Sequence, residues 1–409
     1  MNPKVSFIVP CYKLGHLLAE CVHSILGQTY PDFEVLIMDD CSPDNTPEVA
    51  GFLEERDRRV RHIRNVPNLG HIANYNKGIG LARGEYVWLI SADDSLRKPY
   101  VLERYVHLMD NNSNVGYVFC PAIRRVNGVE AGVMESTAPL ASDAIVSGHA
   151  FLRDFELDSD RVPVVAVMVR KICYQQLSLY PPDLPYCGDW YLWCLFALFH
   201  DVGYFAEPMA IRSFHEQNMT HFYCKDGIQI YFDNLMAVPA RIKEVAKKEG
   251  YDAIIESCDV AAASGYLRLV TPPQSGDTVQ ASMTVEEFEG ALSRSTDEPK
   301  TRARVRRYVY AGLGDHYYDR GDAVLALASY HRALRESRGI SIVWVKYLLL
   351  RMGGAGRFLR GSLSLLKRRI RRNRLAKVWS TLLNTIARIL PRLWPSIGSF
   401  SKRNQVKGS

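Results

Sequence analysis

Two adjacent carboxylates, Asp93 and Asp94, end a run of apolar residues from Tyr86 to Ile90. Paired acids at the end of a buried strand carry a desolvation cost and repel each other. A divalent cation relieves both, because hard cations take carboxylate oxygens. Mg2+ in particular shares its remaining positions with substrate phosphates. The pattern therefore predicts a site for a metal-bound diphosphate, with an ordinary solvated Asp-Asp turn as the competing reading. Other reactive residues recur in the same kind of place. Pro10 and Tyr12 follow the apolar run Val5 to Val9, and Asp39 and Asp40 follow Phe33 to Met38.

The elements that must position these residues alternate. Strands are expected at Val5–Val9, Phe33–Met38, Val60–Arg64, Tyr86–Ile90 and Val115–Cys120. Helices are expected at His16–Leu26, Pro47–Arg56 and His71–Ala82, and from Pro99 to Met109, with Pro99 at the first helical position. Such alternation predicts a mostly parallel, doubly wound sheet. Ligands of such sheets bind outside the carboxyl ends of the strands, where the acids fall. Residues 121–225 are less regular, with strands expected at Val162–Val169 and Met209–His215 and a helix at Asp189–Phe199. From 228 to about 269 the pattern is helical. Residues 271–283 contain Pro-Pro and Ser-Gly and read as a linker. Thr284 and Glu287 have the spacing of a capping box.

Over about residues 4 to 221 the chain resembles the inverting family 2 glycosyltransferases of GT-A type. The resemblance rests on several motifs in order: Val-Ser-Phe-Ile-Val-Pro-Cys-Tyr at 5–12, Met-Asp-Asp-Cys-Ser-Pro-Asp at 38–44, Asn68-Leu69-Gly70, Asn76 with Gly78, Ala82 to Tyr86, Ser91-Ala92-Asp93-Asp94, and Gly188-Asp189-Trp190. It implies an α/β fold with a GT-A-type doubly wound mixed sheet, followed by an α-helical C-terminal region. It implies a nucleotide-sugar donor held by Pro10, Tyr12, Asp39, Asp40, Asn68, Gly70, Asn76, Ser91 and Asp93, with the Tyr12 ring against the base. It further implies Mg2+ or Mn2+ at Asp93, Asp94 and His215, Asp189 as general base, and Trp190 beside the acceptor. Two positions depart from the family pattern. Ser91 stands where the metal motif has its first acid, and Tyr75 stands where many relatives carry Arg.

The chemistry explains these residue types. Inverting transfer needs a base that takes the proton of an acceptor hydroxyl as it attacks the anomeric carbon, and a buried carboxylate at a helix start can be tuned for that. The departing nucleoside diphosphate needs its charge neutralised. Imidazole is a legitimate metal ligand, although Asp also serves simply as a helix cap. Competing readings are a nucleotidyltransferase, which would show a Gly-rich phosphate loop near the first strand, and a non-catalytic scaffold.

Bulk properties bound the rest. A chain of 409 residues has room for two or three domains. Nine cysteines, scattered without metal spacing, predict reduced thiols in a cytoplasmic protein. No secretory signal or membrane span is expected. The net charge of +7 is uneven: residues 341–409 contain 16 Lys plus Arg and no acid, leaving 35 basic and 44 acidic residues before them. The expected organisation is a transferase domain at 1–225, a helical region at 226–300, a hairpin resembling one tetratricopeptide unit at 301–340, and a basic amphipathic tail at 341–409. Apolar faces in that tail favour an anionic membrane surface over nucleic acid as its partner. The expected location is peripheral, on the inner face of the cell membrane, serving a glycan or polyprenyl-linked acceptor. The helical region is a candidate surface for a protein partner.

Overall fold

A computed structural model describes residues 2–157, 161–215, 218, 228–271, 283–336 and 342–351. The chain divides into two units, Met1–Ala261 and Ala262–Ser409.

The first unit is built on an eight-stranded sheet. Its strands are β1 (Val5–Cys11), β2 (Phe33–Asp39), β3 (Val60–Arg64), β4 (Tyr86–Leu89), β6 (Val115–Phe119), β9 (Ala144–Val146), β10 (Val167–Arg170) and β11 (Asp201–Tyr204). The spatial order is β3-β2-β1-β4-β10-β6-β11-β9. Pairings from β3 to β4 are parallel, with Pro10 opposite Met38 and Cys11 opposite Asp39. Strand β10 enters antiparallel between β4 and β6, which makes the sheet mixed. Strands β1 and β2 are buried along their whole length, as expected of strands covered on both faces. Their side chains alternate between two cores. Ile8, Leu36 and Met38 pack on the side of α3 (His71–Leu81) and α7 (Gly188–Phe199). Phe7, Val9, Val35 and Ile37 pack on the side of α1 (Gly15–Leu26), α2 (Thr46–Arg56) and α4 (Val101–Asn111). At the turn into β4, Gly84 lies so close to β1 that a Cβ would sit 2.6 Å from the Ser6 nitrogen.

A smaller sheet has the order β5-β12-β7-β8, from β5 (Ser95–Leu96), β7 (Ala122–Val126), β8 (Val129–Val133) and β12 (Ala210–Phe214). Two short helices, α5 (Gly148–Phe151) and α6 (Lys171–Gln176), and two long ones, α8 (Ile228–Glu249) and α9 (Asp252–Val270), follow along the chain, and the boundary between the units falls within α9.

Several sequence expectations need correction. One strand is expected over Val162–Val169, but residues 164–166 form a 3-10 turn and the ladder starts at Val167. Pro163 precedes that turn and has no N–H for a ladder. The helix expected to start at Pro99 starts at Val101. Pro99 instead lies in the preceding turn, where its carbonyl accepts from Thr29 N at 2.8 Å. Gly250, at φ +76°, divides the helical stretch after 228 into α8 and α9.

In the second unit, α10 (Val285–Ser295), α11 (Pro299–Asp319), α12 (Ala323–Arg335) and α13 (Ile342–Arg351) follow in order. The capping box is present at α10: Thr284 accepts from Glu287 N, and Glu287 accepts from Thr284 N. Helices α11 and α12 form a hairpin, with Gly314 facing the Tyr330 ring. Most of the expected linker and of the basic tail, residues 272–282 and 352–409, lies outside the described residues. No described helix is long and apolar enough to cross a membrane. The eight described cysteines are free thiols.

Candidate active site

The carboxyl ends of β1, β2 and β4 open into one pocket of about 390 Å³. Pro10, Tyr12, Asp40, Asn68, Gly70, Ser91, Asp93 and Asp94, all expected from the sequence, line it. Tyr12 keeps 45% of its surface exposed, unusual for a large ring beside a pocket, and Lys13 Nζ sits 5.0 Å from the ring centroid. Two non-glycine residues here take left-handed backbone, Lys13 at φ +60° and Cys41 at φ +59°. The two loops are tied together, Lys13 N donating to Ser42 Oγ at 3.2 Å and Gly15 N to Asp44 at 3.1 Å. Such strained positions cluster at functional loops and persist where the surroundings over-determine them.

Asp39 and Asp40 divide their roles. Asp39 is fully buried and accepts from Ser42 N at 2.8 Å and from the Arg64 guanidinium. Asp40 lines the pocket and organises the loop before α3. Its two oxygens accept from Asn65 Nδ2 (2.9 Å), Leu69 N (2.8 Å) and Gly70 N (2.9 Å), and its carbonyl accepts from Asn68. The amides leading into α3 are thus already satisfied by Asp40. Gly70 takes φ +80°, a region that favours glycine.

Asp93 and Asp94 face different partners. Asp93 Oδ2 contacts His215 Nε2 at 3.0 Å and accepts from Asn218 Nδ2 at 2.8 Å. Burial works against its charge, but hydrogen bonds from His215 and Ser91 overcome that and hold its carboxyl below the usual range. Asp94 Oδ1 accepts from the Ser213 amide at 2.8 Å, which ties the β4 turn to β12. Burial, reinforced by the charge of Asp93, pushes the Asp94 carboxyl well up. Met219 and Thr220, which follow Asn218, lie outside the described residues.

Asp189 is not part of the pocket wall. It sits in the first turn of α7, where its Oδ1 accepts from Trp190 N at 2.8 Å. Burial raises its carboxyl; the Trp190 amide and then Arg212 and His71 draw it back. Arg212 and His71, whose charges act on Asp189, both line the pocket. Trp190 is 3% exposed and belongs to the core. Asn76 also stays out of the pocket lining. Its amide donates to Tyr180 O at 2.8 Å and accepts from Tyr180 N at 3.0 Å. Tyr75 does line the pocket, its ring edge-on to His71 and Tyr180 at 5.6 and 5.4 Å.

The sequence reading missed His71, Asn74, Val164, Ser213 and Phe214 as pocket residues. His71 and Asn74 were legible in principle. They follow Gly70 at helical spacing with Tyr75, so one face of α3 presents all three.

Among the described residues, no three His, Cys, Asp or Glu side chains are grouped to hold a metal ion. Asp93 and His215 are the pair that fits. A carboxylate and an imidazole suit an ion that takes its remaining positions from phosphate and water.

Residues 6–173 match the family model "Glycosyl transferase family 2". The glycosyltransferase GlyG of Streptococcus pneumoniae is 33% identical over 115 residues, covering 28% of this chain and 38% of that protein. A Bacillus subtilis protein named for teichuronic acid biosynthesis, the glycosyltransferase TuaG, is 32% identical over 111 residues, covering 27% of this chain and 44% of that protein. The chain thus spans less than half the length of these two relatives. The crystal structure of S. aureus TarS 1-349 in complex with UDP-GlcNAc superposes with a TM-score of 0.55 at 17% identity, over 83% of this chain and 94% of that one. The mixed sheet and its helices therefore share the TarS fold, and the segment from Ser6 to Cys173 matches glycosyl transferase family 2.

Proposed function

We propose that this chain is a glycosyltransferase. It moves a sugar from a nucleoside-diphosphate sugar to a hydroxyl of a glycan or polyprenyl-linked acceptor, with inversion, in the assembly of a surface polysaccharide. The observation that carries the reading is one pocket at the strand ends that holds an exposed aromatic ring, Tyr12, and an ionised carboxylate, Asp93, paired with His215. Tyr12 would stack on the base, while Asp39 and Asp40 hold the loops that shape the base and ribose pocket. Asp93 and His215 would hold Mg2+ or Mn2+, which when bound neutralises charge on the departing diphosphate. Asp94 supports this turn through one oxygen bonded to Ser213 N, and its other oxygen would be open to the same ion. Asp189 would take the acceptor hydroxyl proton as the oxygen bonds to the anomeric carbon, and the nucleoside diphosphate leaves with the electron pair of the broken C–O bond. The raised carboxyl of Asp189 suits that task, since a base works best with a pKa close to the operating pH. The basic segment 341–409 would hold the enzyme on an anionic membrane, near a lipid-linked acceptor.

The test is release of nucleoside diphosphate from a panel of UDP-, GDP- and dTDP-sugars, with Mn2+ and with EDTA. Asp189→Asn should lower turnover by about 100-fold or more while nucleotide binding persists, and Asp93→Ala should weaken donor binding itself. Wild-type turnover in Asp189→Asn removes Asp189 as base. A wild-type chain inert toward the whole panel favours a non-catalytic scaffold.

A further inference from the structure

The loop that delivers Asp189 is held from two sides, chiefly by Asn76, which the resemblance assigned to the donor but which stands outside the pocket lining, and by Asn234. On one side is α3, whose first turn lines the donor pocket. Asn76 closes a two-way bond with the Tyr180 backbone, 2.8 Å to its carbonyl and 3.0 Å from its amide. One turn earlier, His71 Nε2 meets the Pro185 carbonyl at 2.9 Å. The Tyr75 ring packs edge-on against Tyr180, and the Tyr180 ring lies where a Cβ on Gly188 would meet it at 3.3 Å. On the other side is α8. The Asn234 side chain is 4% exposed, and its Oδ1 accepts from Tyr186 N at 3.0 Å and Cys187 N at 3.3 Å.

Cys187 is the N-cap residue of α7, and its own side chain makes no capping bond. Helix starts leave N–H groups that need partners, usually supplied by the cap side chain itself. Here a residue 47 positions downstream supplies one acceptor to two amides leading into the helix. A buried acceptor of this kind is held to that geometry, because each buried N–H it fails to reach is left unpaired.

Building on Asp189 as the base, we infer that Asn76 and Asn234 are positioning residues. Together they clamp residues 180–187 and so set Asp189 against the donor pocket. The α3 arm ties the base to the wall that holds the donor, and the α8 arm fixes the start of the helix that carries it. Neither side chain lines the pocket. Their effect is orientation, and small misplacement of a reacting group is costly.

The experiment compares Asn76→Ala, Asn234→Ala and Asn234→Asp in the full chain, alone and combined with Asp189→Asn. It uses the same nucleotide-sugar panel, with turnover normalised to the folded fraction from thermal melts. The expected result is a fall in kcat of about 10- to 100-fold for each alanine variant, with donor KM within about threefold. Asn234→Asp keeps the acceptor oxygen and should recover at least about tenfold over Asn234→Ala. In the Asp189→Asn background the alanine substitutions should cost almost nothing more, since groups acting as one unit are not additive. Alanine variants with wild-type kcat would overturn the clamp and leave Asp189 as base untouched. An equal loss in both backgrounds would also overturn it, as a merely structural role. An active Asp189→Asn variant would remove both readings together.

Discussion

Burial sets the chemistry of single side chains at this site, and the three acids beside the pocket show it differently. Asp93 is held ionised by donors that outweigh its burial, whereas Asp189 and Asp94 are pushed up. For Asp189, the folded carboxyl keeps its proton to higher pH than the unfolded one. Stability from this group is therefore complete below the unfolded value of about 3.9 and is lost as pH rises through the folded value. Turnover needs the base form and should rise through the same window. The acid limb of kcat/KM should thus sit above the ordinary Asp range and vanish in Asp189→Asn. That variant should melt at or above the wild-type temperature at pH 7.5; a clearly lower melting temperature would mean burial is not the cause. Asp94 predicts a different pair. Asp94→Asn keeps an acceptor for Ser213 N and should retain stability in chemical denaturation. Asp94→Ala strands a buried amide and should cost about 1–3 kcal/mol. Asp93 and Asp94 were visible in the sequence as a pair, but their division of labour was not. It depends on His215, Asn218 and Ser213, residues more than a hundred positions away.

Elements covered on both faces were the legible ones. β1, β2 and β4 read as apolar runs because the sheet is buried on both sides there, and the ends of β1 and β2 place Tyr12, Asp39 and Asp40 by a general rule of α/β sheets. The β7–β8 hairpin was not read, although Asn127-Gly128 at φ +49° and +82° is a strong turn signal. Arg124 and Arg125 interrupt its apolar pattern, and β8 is exposed along its length. The clamp on α7 was equally hidden. Asn76 was visible as a residue, but its partner is a backbone 104 positions on. Gly84 belongs to this scale because it governs how β4 docks on β1. A Cβ there would meet main-chain atoms of Ser6, Val5 and Tyr86 at 2.6–2.9 Å, none of which can swing aside. Gly84→Ala should destabilise the first unit by on the order of 3 kcal/mol, read as a lower denaturant midpoint with an unchanged slope.

For the molecule as a whole, charge is the property most unevenly distributed. The 16 cations of residues 341–409 face no acid within that segment. Deleting it should release the protein from vesicles containing phosphatidylglycerol, and raising salt should weaken binding of the full chain, because exposed charges are screened within about 8–10 Å at physiological ionic strength. Unchanged sedimentation of the truncated chain with vesicles would refute this reading. The order of strands has a consequence of another kind, in time. β4 is complete by Leu89, but its second neighbour, β10, begins at Val167. At about 5–20 residues per second, a ribosome needs on the order of 4–15 seconds to make what lies between. Through that interval the edge of β4 presents its unpaired N–H and C=O groups, a template for misplaced pairing in a growing chain.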